Sequence, residues 1–222
     1  SASLSKIMTI VSNTIRSFLP LNENTGLITK DEGPWQRTCT LESAQSTSMW
    51  RPGVKASALF FDGSLFLACE TSTISYAFAS GTISMWVNPP TTTKACALME
   101  ITGTTAGSAL IISLTSISAV KVDLWTSLSS HPISITSTEQ LSPNSFHFLV
   151  LTQSGSAVKV YIDGIAASLT GSNSGSWLST ISAKNMTIGT SKVASSLANF
   201  KGLLDEVMLQ SVVIPFSSIN SQ

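Results

Sequence analysis

The sequence predicts an all-β domain, a sandwich or barrel of many short strands. Three observations predict it: the composition, the spacing of apolar runs, and the turn chemistry between them. Only 11% of residues are charged, against about 25% in an ordinary soluble domain, and Ser with Thr fill roughly 30% of the chain. β-branched and hydroxyl side chains suit strands and turns, whereas Glu, Lys and Ala suit helices. Hydrophobic residues make up 43% of the 222, enough to bury the core of one large domain.

Residues 3–19 set Leu4, Ile7, Met8, Val11, Ile15, Phe18 and Leu19 near one helical stripe, and Pro20 stops it. That predicts a short amphipathic helix or an ordered arm, with a strand over its second half as the competing reading. Residues 22–54, rich in Gly, Pro, Asn and Thr, read as loops around short strands. Apolar runs then recur at 58–61, 65–69, 82–88, 96–101, 109–114 and 119–125. They continue at 133–136, 146–152, 157–162, 165–169, 185–188 and 202–210. A spacing of about 8–12 residues is that of a sandwich or barrel. Val120, Val122 and Leu124 alternate with Lys121 and Asp123, as a half-buried strand requires. Asp163-Gly164 reads as a type I′ hairpin turn, and Asp62-Gly63 as a second. Gly171 to Gly175 reads as a surface loop.

Twelve basic and 12 acidic residues cancel, so no positive field is available for nucleic acid. No apolar run reaches the roughly 18 residues of a membrane span. Cys39, Cys69 and Cys96 lack metal-site spacing. They read as small buried hydrophobes or unpaired thiols, with one disulfide plus a free thiol as the alternative.

Several segments, in order, resemble a laminin-G-like domain of the concanavalin A-like lectin/glucanase superfamily. They are Phe18 to Gly26; Pro52-Gly53 with Ala58-Leu59-Phe60-Phe61-Asp62-Gly63; and Gly81-Thr82-Ile83-Ser84-Met85-Trp86-Val87-Asn88-Pro89. Phe146-His147-Phe148 with Tyr161-Ile162-Asp163-Gly164 follows, then Ile188-Gly189 and Phe200-Lys201-Gly202-Leu203-Leu204-Asp205-Glu206-Val207. The resemblance implies a jelly-roll sandwich of two antiparallel sheets, one convex and one concave, with ligand loops at a rim. It sets residues 15–222 as the domain and residues 1–14 as an N-terminal arm. The fold hosts lectins, adhesion modules, glycosidases and structural domains, so function must come from the site.

Glycosidases need paired carboxylates on one face, at i and i+2 of a strand. No such triplet is present; Asp205 and Glu206 are adjacent and so point to opposite faces, and the resemblance implies a structural role for the pair, satisfying backbone donors. No Gly-x-Ser-x-Gly elbow occurs, and a triad would have only His131 and His147 to draw on. No catalytic residue and no cofactor is therefore expected. Calcium, common in relatives of this fold, would have to use Asp31, with Glu32, together with Asp62 or Asp163. Glycan stacking would use Trp125, Trp177, Trp35 or Trp50, while Trp86 reads as core.

The low charge and the N-terminal arm favour a non-enzymatic structural subunit of a surface or virion assembly, a capsid or appendage protein, contacting other subunits. The alternative is a glycan- or protein-binding module on an extracellular or particle surface. A chain running from Ser1 to Gln222 also has the ends a 3C-like viral protease leaves.

Overall fold

A computed structural model describes residues 14–42, 49–70, 78–91, 94–175 and 177–215. In chain order the strands begin with β1 (Ile15–Leu19), β2 (Ile28–Lys30), β3 (Thr38–Glu42), β4 (Trp50–Pro52), β5 (Ser57–Asp62) and β6 (Phe66–Cys69). Next come β7 (Gly81–Asn88), β8 (Cys96–Thr102), β9 (Ala109–Leu114), β10 (Ala119–Trp125), β11 (Ile133–Gln140) and β12 (His147–Ser154). The last are β13 (Ala157–Ile162), β14 (Ile165–Ala166), β15 (Leu169–Asn173), β16 (Asn185–Ile188), β17 (Ala198–Asn199) and β18 (Lys201–Gln210). One 3-10 turn, Leu178–Ile181, lies between β15 and β16.

The strands form two sheets, and all but one of their pairings are antiparallel. The 8-stranded first sheet runs β14-β13-β12-β7-β18-β5-β4, with β1 beside β18. The 10-stranded second sheet runs β15-β11-β10-β9-β8-β16-β6-β3-β2, and short β17 lies parallel to β8. The sequence expectation of an all-β sandwich of two sheets therefore holds. Of the N-terminal segment, residues 15–19 take the strand reading and not the helix; residues 1–13 lie outside the described residues.

One core joins the sheets. Ile83, Met85 and Val87 of β7 point into it against Leu149 and Leu151 of β12, while β9 and β10 send in Leu110, Ile112, Val120 and Val122. Each such side chain contributes about 1.5–3 kcal/mol on full burial. Trp86 follows the same parity and faces outward, half-buried, with its ring 4.9 Å from that of Phe148. The expectation that it is a core residue is thus corrected: a strand cannot point Met85, Trp86 and Val87 to one side.

The two Asp-Gly turns differ. Asp163 and Gly164 both have positive φ, 51° and 78°, and Ile162 pairs with Ile165 across them, as a type I′ hairpin demands. Asp62-Gly63 is not a hairpin: β5 and β6 belong to different sheets, and only Gly63 is left-handed. There Asp62 Oδ1 accepts from Ser64 N and Leu65 N, folding the chain over the edge of the sandwich.

Cys39 and Cys69, directly opposite on β3 and β6, form a disulfide, and Cys96 is free and buried. This is the alternative reading of the cysteines, not the unpaired one. Burial pushes the Cys96 thiol up to about 11, which leaves almost no thiolate at neutral pH. A thiol reagent at pH 8 is expected to leave the native protein unlabelled and to modify one cysteine after denaturation without reductant. Rapid labelling of the native chain would contradict that burial.

Candidate functional site

The outer face of the second sheet gathers the polar groups that the core excludes. On β10, Lys121, Asp123 and Trp125 share that face because they are two residues apart. Lys121 Nζ lies 2.9 Å from Asp123 Oδ2, and Ser134 of β11 donates its hydroxyl to Asp123 Oδ1 at 2.8 Å. His131 stacks on the Trp125 ring at 3.8 Å, with planes 12° apart. Its Nε2 is 2.9 Å from Asp123 Oδ1, an ion-pair distance, but lies off the hydrogen-bond direction. The indole is half-buried and held flat by the imidazole.

Strand register extends this cluster across the sheet. Trp125 is opposite Ala109 of β9, Ala109 opposite Thr102 of β8, and Thr102 opposite Asn185 of β16. At about 4.8 Å per strand, the row from Trp125 to Asn185 spans about 14 Å, with the smallest side chain beside the indole. At its far end lies a cavity of about 250 Å³ lined by Ala68, Glu100, Thr102, Asn185, Thr187 and Lys192. Asn185 Oδ1 is buried without a hydrogen-bond partner. An orphaned amide oxygen is costly unless a ligand or water donates to it.

Glu100 is fully buried in the wall of this cavity. Its carboxylate accepts from Ser191 Oγ at 2.5 Å, Lys192 N at 3.2 Å and Val193 N at 3.0 Å. It fastens the loop after β16 and thereby places Lys192, whose ammonium sits 6.0 Å from the Phe66 ring. Asp123 and Glu100 flank Ile111 in a second row, about 10 Å apart at the backbone. Both carboxylates already hold protein donors.

The sequence-predicted site residues scatter. Trp125 alone among the four tryptophans stands on this face. Trp177 is 1% exposed and lies in the core, so the surface-loop expectation is corrected: the 3-10 turn that follows it buries Leu178 and Ile181 and draws the indole inward. Trp50 is buried at the start of β4, and Trp35 is half-buried with the Arg37 guanidinium 5.1 Å from its ring.

The three calcium candidates do not converge. Asp31 is buried against Arg37 and caps Phe18 N and Gly33 N, Asp62 closes its own turn, and Asp163 faces His147. Among the described residues no group of three or more acids, histidines or cysteines is arranged for a metal.

His147 shows an arrangement that the sequence did not disclose. Its Nδ1 lies 2.6 Å from Asp163 Oδ2 and its Nε2 lies 2.9 Å from Ser142 Oγ, the order of a Ser-His-Asp triad. Nε2 also lies 3.1 Å from the Ser142 carbonyl oxygen. Ser145 Oγ lies 3.2 Å from the same nitrogen and Phe148 N donates to Asp163 Oδ1, so the cluster fastens the β13–β14 hairpin to the loop before β12. Asp205, read as structural, does satisfy backbone donors: Oδ2 accepts from Val54 N at 2.8 Å and from Lys55 N at 3.3 Å.

Three comparisons bear on this arrangement. A family model described as the concanavalin A-like lectin/glucanases superfamily, of laminin-G type, matches residues 63–219. No curated protein matches the sequence. Among solved structures, domain 4 of a GH43 extracellular arabinanase from Geobacillus stearothermophilus, in complex with arabinotriose, is 18% identical. Its TM-score is 0.70, and the match covers 93% of this chain and 97% of that one.

The binding domain of botulinum neurotoxin DC, in complex with rat synaptotagmin II, is 13% identical with a TM-score of 0.70. That match covers 95% of this chain and 51% of the toxin chain. A botulinum neurotoxin type C structure, from work on cell entry dependent on two ganglioside molecules, is 15% identical at TM-score 0.71, with coverages of 96% and 51%. This chain thus spans about half the length of the toxin chains, and at these identities the likeness is one of fold.

Proposed function

Because the chain belongs to the concanavalin A-like lectin/glucanases superfamily, as a laminin-G-type domain, we propose that it is a non-catalytic glycan-binding module. The observation that carries this reading is the row Trp125–Ala109–Thr102–Asn185 on the outer face of the second sheet. An indole supplies an apolar platform for a sugar ring, and hydroxyl and amide groups at the far end of the row, beyond the wholly buried Ala109, fix orientation. The unpartnered Asn185 Oδ1 suits a sugar hydroxyl donor. The neighbours in complex with arabinotriose and dependent on gangliosides support glycans as the ligand class.

An extracellular or particle-surface setting accords with the Cys39–Cys69 disulfide, since such bonds persist in oxidising compartments. No helix among the described residues is long and apolar enough to cross a membrane. The binding reading takes precedence over that of a capsid or appendage subunit, because the solved neighbours include a domain in complex with arabinotriose and a toxin binding domain in complex with a protein. A glycan array is expected to show retention of at least one oligosaccharide class, with no release of reducing ends on prolonged incubation. An array without hits, or cleavage of the bound sugar, would overturn the proposal.

A further inference from the structure

A sheet edge offers a row of unpaired backbone donors and acceptors, a template for another strand unless something blunts it. In the first sheet, β14 has two residues and β4 has three. On the outer side of β4 the Trp50 carbonyl accepts from Arg51 Nη1, and Pro52 has no N–H to offer. The free side of β1 is taken by the turn after β2, since Phe18 N donates to Asp31 Oδ1 and Phe18 O accepts from Glu32 N. In the second sheet, β17 has two residues, and Glu23 Oε1 accepts from Lys30 N on the outer side of β2. β15 carries none of these devices. Its five residues, Leu169 to Asn173, include no charge and no proline, and Thr170, Gly171 and Ser172 are exposed.

β15 pairs with β11 on one side only. Thr138 N donates to Ser168 O and Ser174 N to Pro132 O, so residues 168, 170, 172 and 174 turn their backbone groups toward β11. Leu169, Gly171 and Asn173 turn theirs outward, where no hydrogen-bond partner stands among the described residues. The Asn173 side chain is already engaged, with Val158 N and Val158 O. We infer that a second copy of this chain pairs antiparallel with β15 across a two-fold axis at Gly171. In that register Gly171 faces its own counterpart and Leu169 faces the second copy's Asn173, which gives about six backbone hydrogen bonds, two in each outward pair. The edge is thus complementary to itself. Thr170 comes opposite the second copy's Ser172, and two small uncharged side chains do not repel there. The joined second sheets carry two Trp125 side chains on one continuous face, five strand spacings or about 24 Å apart. A surface that displays many copies of one ligand is then held at both.

Sedimentation equilibrium of the full chain across the micromolar range is expected to approach twice the chain mass. The Gly171 N–H should exchange with deuterium more slowly as the concentration rises. Thr170→Lys with Ser172→Lys sets lysine opposite lysine across the axis, and Thr170→Glu with Ser172→Glu sets glutamate opposite glutamate. Each double variant should keep its β circular dichroism and self-associate about tenfold more weakly, since like charges directly opposite destabilise a strand pair. An equal mixture of the two should restore the dimer, because every lysine then faces a glutamate. A wild type that stays monomeric would overturn the proposal, as would a folded lysine variant that dimerises like the wild type or a mixture of folded variants that stays monomeric. The exchange measurement reads the wild type alone and decides even where a variant fails to fold: a Gly171 N–H whose exchange does not depend on concentration rules the pairing out.

Discussion

Arg37→Ala is expected to lose about 3–5 kcal/mol of stability, the range for breaking one side of a buried ion pair. Arg37 is 5% exposed, its guanidinium reaches Asp31 Oδ2 at 3.4 Å and Ser17 Oγ at 3.1 Å, and the Asp31 side chain is fully buried. Burial pulls the Arg37 pKa down, and Asp31 pulls it back up, so each charge is tolerated because of the other. Alanine would leave the Asp31 carboxylate with only its backbone donors, Phe18 N and Gly33 N. Those bonds tie β1 to the β2–β3 turn, so the loss should register as a lower denaturant midpoint. Arg37→Met combined with Asp31→Asn should recover part of it, because the stranded charge is gone. A change below about 1 kcal/mol for Arg37→Ala, typical of a surface pair, would contradict the burial.

Asp205 should make the protein more stable as pH falls from 7 toward 4. Its side chain is wholly buried, and burial raises its pKa from 3.8 to about 6 against the opposing pull of Lys55 N and Val54 N. A carboxyl whose folded pKa is raised binds its proton more tightly in the folded state. The associated stability is fully present below 3.8 and is lost as pH rises through 6. The difference of about two pKa units corresponds to about 3 kcal/mol. Asp205→Asn should therefore be the more stable form at pH 7, converge with the wild type near pH 4, and flatten the pH dependence between. The lowered pKa of Asp62 acts in the opposite direction and at more acid pH, so it does not mask this window. Parallel pH profiles for the two proteins would refute the assignment. The carboxylate also explains Gly53: a Cβ there would stand 2.6 Å from Asp205 Oδ2 and 2.5 Å from the Ser57 carbonyl oxygen.

Strands were legible wherever alternation or a full apolar run was strong. β7, β10, β13 and β18 fall within a few residues of their expected positions. Short β2 and β4 were not placed, because three-residue strands carry no period of their own. Which sheet a strand joins was also hidden: Asp62-Gly63 has the letters of a hairpin, yet Phe61 and Leu67 enter the core from opposite sheets.

The site was less legible. Trp125 was identifiable as an aromatic at a strand end, but Thr102, Glu100 and Asn185 are single polar residues in separate strands. Only the register of β8, β9, β10 and β16 brings them into line with it. Trp177 misled because Ser and Gly surround it in sequence, while its burial depends on the Leu178–Ile181 turn closing over the core. The Asp31–Arg37 pair lies six residues apart in a turn, and nothing in that spacing distinguishes a buried ion pair from a metal ligand.

A glycan lying along the Trp125–Asn185 row should perturb the backbone signals of that row. Titration of isotope-labelled protein with the strongest array ligand tests it most directly, run in parallel on the wild type and Trp125→Ala. Backbone shifts are expected at Thr102, Ala109, Trp125 and Asn185, with affinity about 5- to 150-fold weaker for Trp125→Ala, the equivalent of about 1–3 kcal/mol. Shifts confined to other surfaces, with unchanged affinity for the alanine variant, would contradict the account.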